Sequence, residues 1–447
     1  MFKTRVSQLV ALLILAALFG GGGVAYGLSN LVVQLAALLV LSLNFTSVRD
    51  FAVYGPRALT ALVVVSLAVP LIQLLPLPPS IWTEMPGRAL VRDALASVGA
   101  GDMWFTTTVS PYRTLVALIG LIAPFAVITT GWRLGGDRLH RVMQVVVALG
   151  LLNVTLGVVQ VLGGGGTGVL YPENEMPGVL FGFFANRNST GLFLVCCLIL
   201  LAALPSGKSR TMGGLTHLLA AVMLALGVIL TQSRTSIVML ALPLALAIFR
   251  AISGRMGKSD AGSVATSRAL LVAGLAIAAL ASVIPMIGES RLGTALARFE
   301  NVDDQRALIW DDATYTAQRY WPIGSGMATF DEVFQADESL EYISPRKAGR
   351  AHNDYLELAI EAGVFGLAVV AAWALWIAFS AWRAISTAQR WPALAGTGVM
   401  LAIALQSALD YPLRNHTMLC MAALAIVLIA PPGRRKPSDA NGQEPVT

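Results

Sequence analysis

The sequence predicts an all-α polytopic membrane protein of about 12 transmembrane helices, with a large helical loop between the ninth and the tenth. Three observations carry this expectation. Of the 447 residues 56% are hydrophobic and 13% charged, with a mean hydropathy of +0.70, where soluble domains carry about 25% charge. Apolar runs recur at the length that crosses a hydrocarbon core of about 30 Å. Lysine and arginine, finally, concentrate in alternate loops.

In chain order, apolar segments are centred near residues 17, 39, 67, 122, 152, 197, 223, 244, 278, 368, 402 and 423. The first follows Lys3 and Arg5 without a small-x-small cleavage site after it, so it reads as an uncleaved span. With the N-terminus inside, the cytoplasmic loops and tails hold 18 of the 31 basic residues but only 5 of the 25 acidic ones, +13 inside against −7 outside. That asymmetry orients the chain with both termini cytoplasmic. The basic balance therefore reports topology and attraction to membrane lipids, not nucleic acid. Residues 1–287 are expected to supply nine spans with external loops at 77–113 and 163–189. Residues 288–352 form an external loop subdomain, too long for a simple connection. Residues 353–431 give the last three spans, and the polar, Pro-rich stretch 432–447 a disordered cytoplasmic tail. Cys196, Cys197 and Cys420 lie in apolar runs with no disulfide or metal spacing.

Polar side chains gather at the outer ends of spans. RAHNDYLELAIEAGVFG (350–366) places Arg350, His352, Asn353 and Asp354 at the mouth of the tenth. On a continuous helix His352 would share a face with Gly363 and Gly366, small residues that admit a neighbouring helix. Asp354, Glu357 and Glu361 then fall on another face, where carboxylates need hydration or arginine partners. LTQSRTSIVML places Arg234 in a near-loopless turn, LFGFFANRNSTGLF places Arg187 at the sixth span, and DYPLRNHT places Asp410, Arg414 and His416 in a further short turn. Within 288–352, ALARFENVDDQRALIWDDATYTAQRYW reads as an amphipathic helical hairpin on the membrane surface carrying Arg306. WPIGSGMATF, with Pro322, Gly324 and Gly326, then turns the chain.

Arginines at a membrane-level pocket suit a diphosphate. Their guanidinium forks bind phosphate oxygens and stabilise charge on a leaving group. An acceptor hydroxyl further needs a base, and histidine serves near neutral pH. His352 is the candidate base, Arg234 and Arg306 the diphosphate ligands, and Asn353 and Asp354 the orienting partners. Position alone also allows structural roles: a helix cap at His352, a snorkelling anchor at Arg234, Arg187 or Arg414, a solvated charge at Arg306. No metal site or cofactor is expected.

The run His352, Asn353, nine residues, Gly363, two residues, Gly366 resembles the periplasmic His-Asn motif of the O-antigen ligase and O-antigen polymerase family. FANRN, TQSRTS, RALIW and PIGSGMATF look like that family's supporting segments, so the resemblance covers about residues 180–370. It implies a bacterial inner-membrane glycosyltransferase, metal-independent and inverting, with its active site facing the periplasm. The donor would be an undecaprenyl-diphosphate-linked glycan and the acceptor a lipid-linked repeat unit or lipid A-core, with a chain-length regulator as a further candidate partner. The family's base maps to His352 with Asn353 beside it, and its phosphate arginines to Arg234 and Arg306. Arg187, Arg350, Arg414 and Asp354 complete the candidate substrate-binding set. FANRN and HNDYLEL look most like members that build exopolysaccharide, which favours a polymerase over a ligase. A twelve-helix solute transporter is the alternative class, and it would place ionisable or broken-helix features near the midplane instead.

Overall fold

The computed structural model describes residues 4–23, 25–163, 170–171, 176–205, 212–256, 306–340 and 349–431. The expected span near residue 278, the first arm of the amphipathic hairpin, part of the loop 163–189 and the tail 432–447 lie outside the described residues. Helices dominate, and the one sheet described pairs Pro76–Leu77 with Phe105–Thr106, antiparallel. Six helical segments are long and apolar enough to cross a membrane: Arg5–Gly22, Pro111–Gly131, Gly136–Leu162, Gly213–Leu230, Arg234–Ser253 and Asp354–Ala384. A seventh results if Gly27–Leu43 and Phe45–Tyr54, bent by 76° at their junction, count as one. Arg57–Gln73, Arg187–Ala203 and His416–Ile429 are apolar but shorter. The described residues thus hold fewer full-length spans than the twelve expected. An apolar run measures composition, whereas a span needs unbroken helix: at 1.5 Å per residue, a helix of 14 residues such as His416–Ile429 extends only about 21 Å.

Two of these short helices, Arg187–Ala203 and His416–Ile429, form the centre of the bundle. Helices 187–203 and 416–429 are apolar on every side and buried almost throughout, the signature of a helix enclosed by others. Helix 187–203 packs on 136–162, 212–230, 241–256 and 390–407, while 416–429 packs on 122–131 and 390–407. Other helices of the bundle turn Leu, Val and Phe outward, among them Leu35, Val64, Leu152 and Phe379.

A second, smaller core covers one end. Helix Arg306–Tyr320 buries Ala313 and Tyr320 against Phe330, Val333 and Phe334 of the short helix Phe330–Phe334, and against Ala351 and Ile360. The amphipathic segment therefore turns its apolar side onto protein, at the start of helix 354–384. Arg113 ties this layer to helix Pro111–Gly120 through ion pairs with Glu332 and Asp331. Arg88, buried, donates to the carbonyls of Pro86, Thr107 and Gly324 and lies over the Tyr320 ring, joining the loop 77–113 to the same layer.

Helix 354–384 is broken at Gly363, which has φ 54° and ψ −143°. The sequence pattern treats His352, Gly363 and Gly366 as one helical face; the structure does not, because the helix starts at Asp354 and its regular rotation is lost at Gly363. The break is splinted by the Pro322–Met327 segment. The N–H groups of Ser325 and Gly326 donate to the carbonyls of Ile360 and Glu361 at 2.8 and 2.9 Å, Gln73 Nε2 donates to the Glu361 carbonyl at 2.9 Å, and Val364 N–H donates to Pro322 O at 3.0 Å. Backbone groups freed by the break are thus satisfied by protein, as an apolar surrounding requires. A Cβ at Gly363 would overlap the Pro322 carbonyl. Gly363→Ala is accordingly expected to cost at least about 2–3 kcal/mol, from a backbone region closed to other residues plus the clash. A thermal unfolding curve of the purified protein in detergent should show the loss.

Candidate functional site

Four helix N-termini converge at the end of the bundle covered by the small core, and each is capped by the residue type that favours a cap. Asn186 caps helix 187–203 by accepting from Asn188 N–H, Ser233 caps 234–238 by accepting from Ser236 N–H, and Asn415 caps 416–429 by accepting from Met418 N–H. Asn353 caps 354–384, its Oδ1 accepting from the N–H groups of Tyr355 and Leu356 at 3.0 and 3.1 Å. Each cap has a basic residue or histidine beside it: Arg187, Arg234, His352, and Arg414 with His416. The recurrence of arginine at helix ends is thus also the recurrence of capped turns.

His352 precedes its cap in the left-handed region, with φ 52°. Its Nδ1 lies 3.1 Å from Asp410 Oδ1. The Asp410 carboxylate is 2% exposed and the histidine ring 33%. Asp410 Oδ2 accepts from Asn186 Nδ2 at 3.2 Å, so the cap of one helix helps to orient the partner of His352 on another. The Tyr411 ring lies 5.0 Å from that of His352. Burial, then the neighbouring Asp410 carboxylate, push the Tyr411 hydroxyl up to about 12. An ionised carboxylate facing Nδ1 favours the tautomer with its proton there, in which the Nε2 lone pair is left to accept one.

Behind His352 lies a buried charge cluster. Asp354, Glu357 and Glu361 follow one stripe of helix 354–384, and Arg414 runs along it: Nε to Asp354 at 3.3 Å, Nη2 to Glu357 at 3.0 Å, Nη1 to Glu361 at 2.9 Å. Arg350 Nη1 donates to Glu357 Oε2 at 3.1 Å. Asp354 also accepts from Ser407 Oγ and Leu413 N–H. Burial works against the Arg414 charge, but its three carboxylates outweigh that and raise its pKa.

The sequence-derived candidates therefore divide. His352, Asn353, Asp354, Arg350 and Arg414 are brought together. Arg187 joins them through the adjacent Asn186. Arg234 heads a helical turn packed on helix 187–203 at Gly191, where a Cβ would collide with Ser236. Arg306 opens helix 306–320, whose Trp310 donates to the Ala351 carbonyl at 2.7 Å; the Arg306 side chain lies outside the described residues. Two placements differ from the pattern of the sequence. Asp410, not Asp354, faces His352, because Asp354 is held by Arg414 and Ser407 and the Asn353 oxygen is used in capping. Arg414 and Arg350, expected on substrate, meet carboxylates of the chain itself, Arg414 through all three guanidinium nitrogens and Arg350 through Nη1. Asp410 had a weak signal, a carboxylate in a short external turn, but 58 residues separate it from His352. Asp410→Asn is expected to slow any reaction in which His352 acts as the base by at least about 10-fold, bounded by the roughly 10,000-fold that a general base can supply. Its KM should stay near wild type, which steady-state kinetics would check.

Residues 218–371 match the model of a protein family described as O-antigen ligase. That segment, about a third of the chain, is similar to the domain of this family. No curated protein matches the chain. The family's members are membrane enzymes of glycosyl transfer. Its matched segment holds Arg234, Arg350, His352, Glu357 and Glu361, whereas Asn186, Asp410 and Arg414 come from outside it. The fold adds these three to the family's own segment, and Asp410 in particular completes the pair with His352.

Proposed function

We propose that this protein transfers a glycan from undecaprenyl diphosphate to a sugar hydroxyl at the periplasmic face of the bacterial inner membrane. The His352–Asp410 pair carries the reading. His352 Nε2 takes the proton of the acceptor hydroxyl, whose oxygen attacks the anomeric carbon from the side opposite the diphosphate. A new C–O bond forms, the bond to the diphosphate oxygen breaks, its electron pair leaves with the diphosphate, and the anomeric configuration inverts. Asp410 holds the imidazole in the tautomer that exposes Nε2 and stabilises the imidazolium that results. Arg234, Arg187 and Arg306 are assigned to the diphosphate, where cations stabilise developing charge. The transporter reading is weakened by the same geometry: the carbonyls at the Gly363 break accept from the chain's own N–H and side-chain donors, and the carboxylate stripe is occupied by arginines.

For the acceptor, we favour a second lipid-linked repeat unit, the polymerase reading, supported by the FANRN and HNDYLEL segments. The description of the matched family, O-antigen ligase, supports lipid A-core as the second reading. A gel profile of surface glycan from a deletion strain decides between them. Single repeat units on core, or loss of a secreted polymer with other ligation intact, supports the polymerase. Long lipid-linked polymer accumulating beside bare core replaces it with the ligase.

A further inference from the structure

His352 holds a backbone conformation that a residue with a Cβ adopts only when its surroundings over-determine it. The residues on either side show what does so. Asn353 is fixed by capping. Ala351, fully buried, is fixed twice: its carbonyl accepts from Trp310 Nε1 at 2.7 Å, and its N–H donates to Glu357 Oε1 at 3.0 Å. Glu357 is itself fully buried, and its other oxygen accepts from Arg350 and from Arg414. Arg414 stands four residues after Asp410 in the same short turn. One carboxylate therefore connects the peptide just before His352 to the turn that carries the residue facing the imidazole.

We propose that Glu357 is a positioning residue for glycosyl transfer. It touches neither glycan nor diphosphate; it sets His352 against Asp410 by holding Ala351 with one oxygen and Arg414 with the other. The proposal rests on His352 being the base. Its chemistry requires an ionised carboxylate. An amide offers one acceptor oxygen and turns an NH₂ donor toward N–H groups that are themselves donors, so Glu357→Gln must release either Ala351 or the two arginines. Glu357→Asp keeps the charge but draws it back by one methylene, which prevents it from bridging both. A displacement of about 1 Å at a reacting group can cost roughly 100-fold in rate.

The test is steady-state transfer by full-length protein in nanodiscs, with purified undecaprenyl-diphosphate-linked glycan as donor, for wild type, Glu357→Gln, Glu357→Asp, His352→Ala and the double variant Glu357→Gln/His352→Ala. The expected result is a fall in kcat of about 10- to 100-fold for Glu357→Gln, with donor KM within about threefold of wild type. In the His352→Ala background the Glu357 change should add nothing, because groups acting as one unit are non-additive. If Glu357→Gln fails to insert, Glu357→Asp, which keeps the charge, carries the same expectation. Wild-type kcat in the Glu357 variant that folds, or an equal further loss in the His352→Ala background, overturns the positioning role while leaving His352 as base. Wild-type kcat in His352→Ala overturns the base assignment itself.

Discussion

Replacing His352 by alanine is expected to lower the rate of glycosyl transfer by about 100- to 10,000-fold, the range that a positioned general base supplies, without loss of folding or membrane insertion. The variant deletes an imidazole whose ring is 33% exposed and whose one described hydrogen bond is to Asp410, so little packing goes with it. Relief of the left-handed backbone does not follow, since alanine carries the same Cβ. Donor binding should be retained, because the diphosphate is assigned to arginines on other helices. Rates measured with saturating donor, beside an unfolding curve for each protein, separate loss of chemistry from loss of fold.

The largest expected effect on stability lies at Arg414. Its guanidinium meets three carboxylates at 2.9 to 3.3 Å, and the Glu357 and Glu361 side chains are fully buried. Breaking a buried ion pair from one side typically costs about 3–5 kcal/mol, because the charge left behind has neither partner nor water. Arg414→Met leaves Asp354 and Glu361 without a basic partner among the described residues, while Glu357 keeps Arg350. A loss at or above the upper end of that range is expected, read as a lower unfolding temperature in detergent and reduced yield from the membrane. Arg414→Lys should recover only part of it, since a single ammonium cannot reproduce the three-way fork. Failure of Arg414→Met to destabilise the protein would remove the cluster from the account of what holds this end together.

Much of this was legible in the sequence. Composition and the apolar runs gave the helical membrane class, and HN followed by two spaced glycines gave the candidate base and the family resemblance. The Asp354, Glu357, Glu361 stripe was readable from helical periodicity, as was its need for either hydration or an arginine partner. Which arginine was not readable, because Arg414 approaches from another helix end, 53 residues from Glu361. The His352–Asp410 pair was hidden for the same reason: tertiary contact, not spacing, makes it. Gly363 shows a different limit. Spacing counted it as a small residue on a packed face, whereas its φ of 54° lets the helix break and the Pro322–Met327 segment enter. A glycine chosen for its backbone and one chosen for its lack of side chain are written with the same letter.

Glycan is expected to leave its lipid diphosphate at the His352 site. The most direct measurement is to incubate purified protein in nanodiscs with undecaprenyl-diphosphate-linked glycan and an acceptor glycan, in the presence of a chelator, and to quantify released undecaprenyl diphosphate against product. One undecaprenyl diphosphate is expected per glycosidic bond formed by the wild-type protein, and almost none from His352→Ala. Donor recovered intact from the wild-type reaction, or equal turnover by the two proteins, would contradict it.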